Sequence, residues 1–324
     1  MKNEQKTSVN TSPALAEAVR RAVAEDRISQ RQAAERIGIS AGGLSAYMGG
    51  TYKGSNAGFE EKIQKWLDAR TVRQRTLSSS MNVPGWVKTA AYTTFELVFA
   101  HSQYTPDIGL ITGGAGVGKT FAANTYAEKG VNVWVVTADP SMKTPMKALK
   151  EIAFVLGDVD RGGGSWLRAI VRRVRGSQGL LIIDEAQHLS TDAIDQIRAI
   201  HDQAEIGVVF SGNEPLRGRI EGIGRLDTHA QLFSRIGIRK DRKGCSRQDV
   251  DALLDAWEID DPNLRRLASA IAAQQGALRT MNKTLRYAVQ LCRADDRERL
   301  SVEDVQEAWK ELTMKPVPSF KREG

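Results

Sequence analysis

The sequence is poor in the residues that staple a fold or ligate metal. Among its 324 residues stand two cysteines, Cys245 and Cys292, and four histidines. Two cysteines cannot build a disulfide framework or a four-cysteine metal site. The histidines show no paired spacing, which argues against a histidine-built metal centre. No apolar run approaches the ~20 residues of a membrane-spanning helix, so no membrane association is expected. Met1-Lys2-Asn3-Glu4-Gln5-Lys6 has no apolar stretch behind it and does not read as a secretory signal. Low-complexity tracts, collagen-like periods and internal repeats are also missing. What is there is ordinary for a globular chain: 41% hydrophobic and 26% charged residues. These features together predict a soluble protein of a reducing compartment, the cytoplasm.

The length predicts two or three domains, at ~100–200 residues each. The net charge is +7. The first 80 residues and the middle of the chain are basic, whereas residues 246–324 are slightly acidic. A basic N-terminal half is compatible with a polyanionic partner, although many basic proteins bind no nucleic acid.

Three blocks follow from periodicity. Residues 1–75 form the first, and about 13–70 of them read as all helix: Leu15, Ala18, Val19, Ala22 and Val23 recur at helical spacing behind Ser12-Pro13, and Ile63, Trp66 and Leu67 mark a last helix over about 59–69. A Ser-rich, uncharged linker is expected at 76–85, ending in Pro84-Gly85. Residues 86–245 alternate short apolar strands, at 108–112, 131–136, 180–183 and 206–211, with helices near 144–156, 165–175 and 191–203. That alternation predicts a parallel sheet with helices on both faces. Residues 246–324 return to helices, at 249–257, 263–274, 278–292 and 302–312.

Gly113-Gly114-Ala115-Gly116-Val117-Gly118-Lys119-Thr120 follows the first strand and opens a helix, the context of a phosphate-binding loop. Backbone N–H groups and a helix N-terminus would cradle a triphosphate. Lys119 would reach the outer phosphates and the Thr120 hydroxyl would bind Mg²⁺. The strand Leu180-Leu181-Ile182-Ile183 delivers Asp184 and Glu185 at its C-terminal end, where such sheets bind ligands. Asp184 is the expected second Mg²⁺ group and Glu185 the general base for the attacking water. Asn213, at the tip of the next strand, would hold that water, although an Asn after a glycine fits a plain turn as well. Spacing alone does not single out Arg235 or Arg279 among 46 basic residues.

A second motif lies near the N-terminus. Residues 30–37 read as a short helix, Gly38-Ile39-Ser40 as a tight turn and residues 41–48 as a second helix. Ala34, Gly38 and Leu44 stand where a helix-turn-helix needs a small residue, a turn glycine and a core residue. Gln30, Ser40, Gly42, Ser45, Ala46 and Lys53 would then face double-stranded DNA; a helical bundle that uses the same shape for protein contacts is the rival reading. Arg168, Arg172, Arg173 and Arg175 form one basic cluster, with Arg168, Arg172 and Arg175 expected on one helix face. Arg239, Lys240, Arg242 and Lys243 form another. Either could track a phosphate backbone, and a solvated charged face is the bland alternative.

Lys119-Thr120, then Asp184-Glu185, Asn213, Arg235 and Arg279 in that order resemble an AAA+ ATPase. With Val133-Trp134, Ile182-Ile183-Asp184-Glu185-Ala186, Leu232-Phe233-Ser234-Arg235-Ile236 and Gly276-Ala277-Leu278-Arg279, roughly residues 13–313 resemble the MuB family, the transposition target-DNA-binding ATPases of Mu-like phages. The resemblance implies an α/β P-loop core flanked by an N-terminal helix-turn-helix domain and a C-terminal helical domain. It also implies a Mg²⁺-dependent ATPase of the bacterial host cytoplasm that assembles as a helical filament on DNA with weak sequence preference and contacts a transposase. By the same resemblance Asn213 is a sensor of the γ-phosphate, Arg235 a finger acting on a neighbouring subunit and Arg279 a second sensor. Gln187 departs from the pattern, since an acid is common there. A helicase loader of the same superfamily and an ATP-responsive helix-turn-helix transcription regulator are the alternatives; the intact Asp184-Glu185 pair speaks against the latter.

Overall fold

A computed structural model describes residues 12–26, 28–52, 54, 56–78, 84–157, 159, 164–221 and 236–320. The chain divides into two compact units, Met1–Ser80 and Met81–Gly324.

The first unit contains helices α1 (Pro13–Glu25), α2 (Gln30–Ile37), α3 (Ala41–Met48) and α4 (Asn56–Ser78). Local chemistry sets their ends. Ser12 caps α1 with Pro13 in its first turn, Ser29 and Gln32 form a reciprocal capping box on α2, and Ser40 caps α3 by accepting from Gly43 N–H at 3.1 Å. The turn between α2 and α3 needs a left-handed residue, and Gly38 supplies it at φ 75°. Ala34 and Leu44 are buried as expected, with Val19, Tyr47 and Ile63 in the same core. Tyr47 donates its hydroxyl to Glu60 Oε1 at 2.6 Å; burial and then that carboxylate push its pKa far up. Gly43, a poor helix former, has a packing reason: a Cβ there would lie 3.3 Å from the Phe59 ring. Helix α4 extends beyond the span the hydrophobic pattern marks, through Thr76-Leu77-Ser78, which composition assigns to the linker. Arg70 helps to hold the extra turns, since its guanidinium meets Glu25 Oε2 at 2.8 Å and Asp26 Oδ1 at 2.9 Å at the end of α1.

The second unit is a five-stranded parallel sheet with helices on both faces. Its strands are β1 (Ile108–Gly113), β2 (Val133–Thr137), β3 (Leu180–Asp184), β4 (Gly207–Gly212) and β5 (Ile236–Arg242), in the order β2-β3-β4-β1-β5. Side chains alternate between two cores, as strands buried on both faces require. Leu110, Ile183, Val208 and Phe210 pack with α7 (Pro145–Leu156), α8 (Trp166–Val174) and α9 (Thr191–Ala204). Ile111, Ile182 and Val209 face the opposite way, against α5 (Ala90–Tyr104) and α6 (Lys119–Lys129). Helix α5 has no counterpart in the sequence reading. Its Tyr92, Thr93, Thr94, Phe95, Val98 and Phe99 are weak helix formers, and burial of Phe95, Val98 and Phe99 overrides that preference.

After α10 (Glu214–Glu221) and β5 come α11 (Arg247–Ala256), α12 (Pro262–Ala272), α13 (Ala277–Ala294) and α14 (Val302–Thr313), packed around Trp257, Leu267, Met281, Leu285 and Trp309. One buried carboxylate joins these helices to the sheet. Asp249, fully buried, accepts Ala91 N–H of α5 at 2.7 Å and Ser246 N–H at 2.7 Å, and pairs with Arg242 at the end of β5. Burial alone would raise its pKa. The Ser246 and Ala91 hydrogen bonds and the Arg242 charge outweigh that, and the carboxyl is held below its ordinary 3.8. A depressed folded-state pKa gives stability that is present above the ordinary value and lost as pH falls through the folded one. Asp249→Ala should therefore cost ~3–5 kcal/mol in denaturant unfolding at neutral pH, because it leaves Arg242 without its counter-charge. Asp249→Asn should flatten the loss of stability between about pH 5 and pH 2; an unchanged acid limb would contradict the assignment.

Candidate nucleotide site and basic surfaces

Strand β1 carries the chain into the loop between its C-terminal end and α6. Gly116 and Gly118 adopt φ 79° and 99°, a region L side chains avoid. Gly116 has a second reason to be glycine: a Cβ there would sit 1.8 Å from Gly276 O. Val117 is 1% exposed, its side chain pinned in the core between α5 and α6, so it contributes backbone only. Gly114 N–H donates to Arg242 O at 3.1 Å, which leaves the later loop residues as the ones that can face a ligand.

Lys119 and Thr120 open α6. The Lys119 ammonium donates to Gly113 O and Gly114 O, both at 2.9 Å, and the residue is 8% exposed. Burial lowers its pKa; the Glu185 and Asp184 charges oppose the shift and Arg279 adds to it. Thr120 Oγ1 donates to Asp184 Oδ2 at 2.6 Å, and Ser211 Oγ donates to Asp184 Oδ1 at 2.8 Å. Asp184 is fully buried at the end of β3, so two hydroxyls fix both of its oxygens. Glu185 follows at φ 52°, ψ 33°, a left-handed turn that takes the next side chain off the strand. Gln187 Nε2 donates to Glu185 Oε2, while Gln187 Oε1 accepts Asn213 N–H at 3.4 Å. The residue that departs from the family pattern thus bridges the expected base and the expected sensor. Asn213 Oδ1 is buried with no hydrogen-bond partner among the described residues, an acceptor available to a ligand or a water.

Arg279 stands in the first turn of α13, and its Cβ lies 3.1 Å from the point a Gly116 Cβ would occupy. The loop, Lys119, Thr120, Glu185 and Arg279 line a cavity of about 270 Å³. Val87, Tyr92, Leu253, Leu278 and Asn282 line it too. Among the residues absent from the sequence reading, Ser211 carries a faint signal, a hydroxyl in a buried strand tip. Val87 and Asn282 carry none, because they join the site through long-range packing.

The basic clusters fare differently. Arg168, Arg172 and Arg173 are exposed on α8. Arg175 does not share their helix face. It sits past the end of α8 at ψ 132° and donates to Gln203 O at 2.7 Å, because Gly176 ends the helix there. On β5, the edge strand, Arg239 is half-buried and Lys240 exposed on the other face. Arg242 leaves the cluster, since its guanidinium holds Asp249 and Ser246. Gln30, Ser40, Gly42 and Ser45 are all exposed on the first unit, the Ser40 hydroxyl oxygen capping α3. Lys53 and Arg235 lie outside the described residues.

Comparison with known proteins follows the same division of the chain. The family described as "Mu B transposition protein, C terminal" matches residues 234–312, and an AAA domain matches residues 102–220. The ATP-dependent target DNA activator B proteins of Escherichia phage D108 and Escherichia phage Mu are each 32% identical over 298 residues, 91% of this chain and 94% of theirs. The Mu-like prophage FluMu DNA transposition protein B of Haemophilus influenzae is 33% identical over 266 residues, 81% of this chain and 92% of its own. Among solved structures, the Aeropyrum pernix ORC2 protein with ADPNP and ADP superposes with a TM-score of 0.54 at 18% identity, over 74% of this chain and 71% of that one. The ORC1 protein of the same organism in complex with DNA reaches 0.51 at 21% identity, over 74% and 69%. At that identity the two structures share the fold alone. The chain belongs to the family of Mu-type transposition proteins B, built on an AAA ATPase fold.

Proposed function

We propose that this protein is an ATP-dependent, largely sequence-nonspecific DNA-binding ATPase that assembles on target DNA and activates or directs a transposase. The observation that carries the proposal is the convergence of Lys119, Thr120, Asp184, Glu185, Asn213 and Arg279 on one region, in a chain that matches target DNA activators over nine-tenths of its length.

The chemistry follows from the groups. Lys119 transfers its two hydrogen bonds from the Gly113 and Gly114 carbonyls to the outer phosphate oxygens. Thr120 Oγ1 and Asp184 Oδ2, 2.6 Å apart, are hard oxygen donors, and the burial of Asp184 favours a cation beside it. They fit Mg²⁺, which when bound would offset charge between the β- and γ-phosphates. Glu185, oriented by Gln187, takes the proton of the attacking water, and Asn213 Oδ1 accepts that water's other hydrogen. Arg279 neutralises charge at the γ-phosphate from α13, and Arg235 does so from a neighbouring subunit. DNA contact falls to Gln30, Ser40, Gly42, Ser45 and Lys53 on the N-terminal unit, and to the basic residues Arg168, Arg172, Arg173, Arg239 and Lys240 on the second, with Arg175 at the edge of the α8 group.

Electron microscopy of the protein with linear duplex DNA tests this reading. With ATP and Mg²⁺ regular helical filaments should cover the duplex, and without nucleotide the duplex should stay bare. Bare DNA in ATP, or isolated site-bound particles on particular sequences, would overturn it in favour of a loader or a transcription regulator.

A further inference from the structure

The cavity lining mixes two chemistries. Beside the polar Lys119, Thr120, Glu185 and Arg279 stand Val87, Tyr92, Leu253 and Leu278, the kind of apolar surface that accepts a flat base. Other polar side chains on the lining are few, and most are engaged. Thr89 Oγ1 accepts Tyr92 N–H at 3.1 Å as the cap of α5, and the Tyr92 hydroxyl donates to Glu96 Oε1 at 2.9 Å. Asn282 remains. It lies one turn after Arg279 on α13, so both face the cavity.

Asn282 is fixed in one orientation. Its Oδ1 accepts Trp257 Nε1–H at 3.0 Å. An indole nitrogen is only a donor, so the amide oxygen must face Trp257 and cannot be exchanged with the amide nitrogen. Trp257 is 6% exposed at the end of α11, buried in the core of the C-terminal helices, and does not turn freely. The amide N–H₂ is left as a donor without an acceptor among the described residues, on a residue that lines the cavity.

We infer that Asn282 is a base-reading residue: held by Trp257, it donates its amide to a ring-nitrogen acceptor on the Watson–Crick edge of adenine and so favours ATP over GTP. Adenine N1 is an acceptor, whereas guanine N1 carries a hydrogen and would set donor against donor, which a desolvated site penalises. The inference rests on the reading of this cavity as the nucleotide site.

Asn282→Asp is the discriminating variant, because a carboxylate keeps the acceptor for Trp257 and removes the donor. Equilibrium titration of the full-length protein with fluorescently labelled ATP and GTP, with tryptophan emission as the check on the Trp257 environment, gives the readout. Asn282→Asp should weaken ATP by about tenfold and GTP by much less, so that the preference for ATP narrows. Wild-type ATP affinity in the variant, or an equal loss for both nucleotides, would overturn the base-reading role; the second result would make Asn282 a structural residue. Lys119→Ala runs beside it. If that variant keeps both nucleotides, the site reading itself fails; if it loses both while Asn282→Asp retains wild-type affinity and preference, only the base-reading inference fails.

Discussion

Replacing Glu185 by Gln should leave ATP bound and unhydrolysed. The amide keeps the shape of the side chain and leaves the Thr120–Asp184 pair untouched, but it cannot take a proton from water. Turnover should fall by at least ~10²-fold, the scale of general-base loss. Nucleotide affinity should change little, and any assembly that needs bound ATP should persist longer than in the wild type. Gln187 sharpens the test. It donates to the Glu185 carboxylate in the native site, so Gln187→Ala should lower turnover by misplacing the base and should leave nucleotide affinity intact. Steady-state phosphate release with parallel nucleotide binding checks both. Wild-type turnover in Glu185→Gln would move the base to another residue.

The second large effect belongs to Lys119. Its ammonium is nearly buried and makes two 2.9 Å bonds to loop carbonyls, so its protons are already aimed at the loop that wraps the phosphates. Lys119→Ala removes two charge-assisted hydrogen bonds, each worth ~1.5–3 kcal/mol, and ATP affinity should fall by ~10²-fold or more. The pH dependence has a definite sign. Burial holds the Lys119 pKa below the ordinary 10.5, and binding needs the protonated form. ATP affinity should therefore decline as pH rises, and the decline should begin at lower pH than for an exposed lysine. A flat alkaline limb would contradict the role of this ammonium.

Much of this site was legible in the sequence because it is local. The loop Gly113–Thr120 and the pair Asp184-Glu185 announce themselves by residue type and by the apolar strands before them. The four helices after β5 also follow their hydrophobic pattern closely. Other parts depended on resemblance. Arg279 has no local mark, and only the family order of motifs pointed to it; the fold then sets it against Gly116. The unread parts are built by contacts between distant residues. Helix α5 is written in Thr, Tyr, Phe and Val, and becomes helical because Phe95, Val98 and Phe99 are buried under the sheet. Arg242 has the composition of a DNA contact and serves as the partner of a buried Asp249, 7 residues on in sequence, which ties it to α5 as well. Arg175 matches the spacing of Arg168 and Arg172, yet Gly176 ends the helix before it.

The central claim is that nucleotide bound at this cavity governs DNA binding. The most direct measurement is the affinity of the wild-type protein for a fluorescent linear duplex at one fixed salt concentration, taken with ATP and Mg²⁺ and again without nucleotide, and repeated with Lys119→Ala. Fixing the salt matters because each phosphate contact makes affinity salt-dependent. The account predicts tight duplex binding only for the wild type with ATP, and weak binding of equal strength in the other three arms. Equal affinity of the wild type with and without ATP, or undiminished binding by Lys119→Ala in ATP, would contradict it.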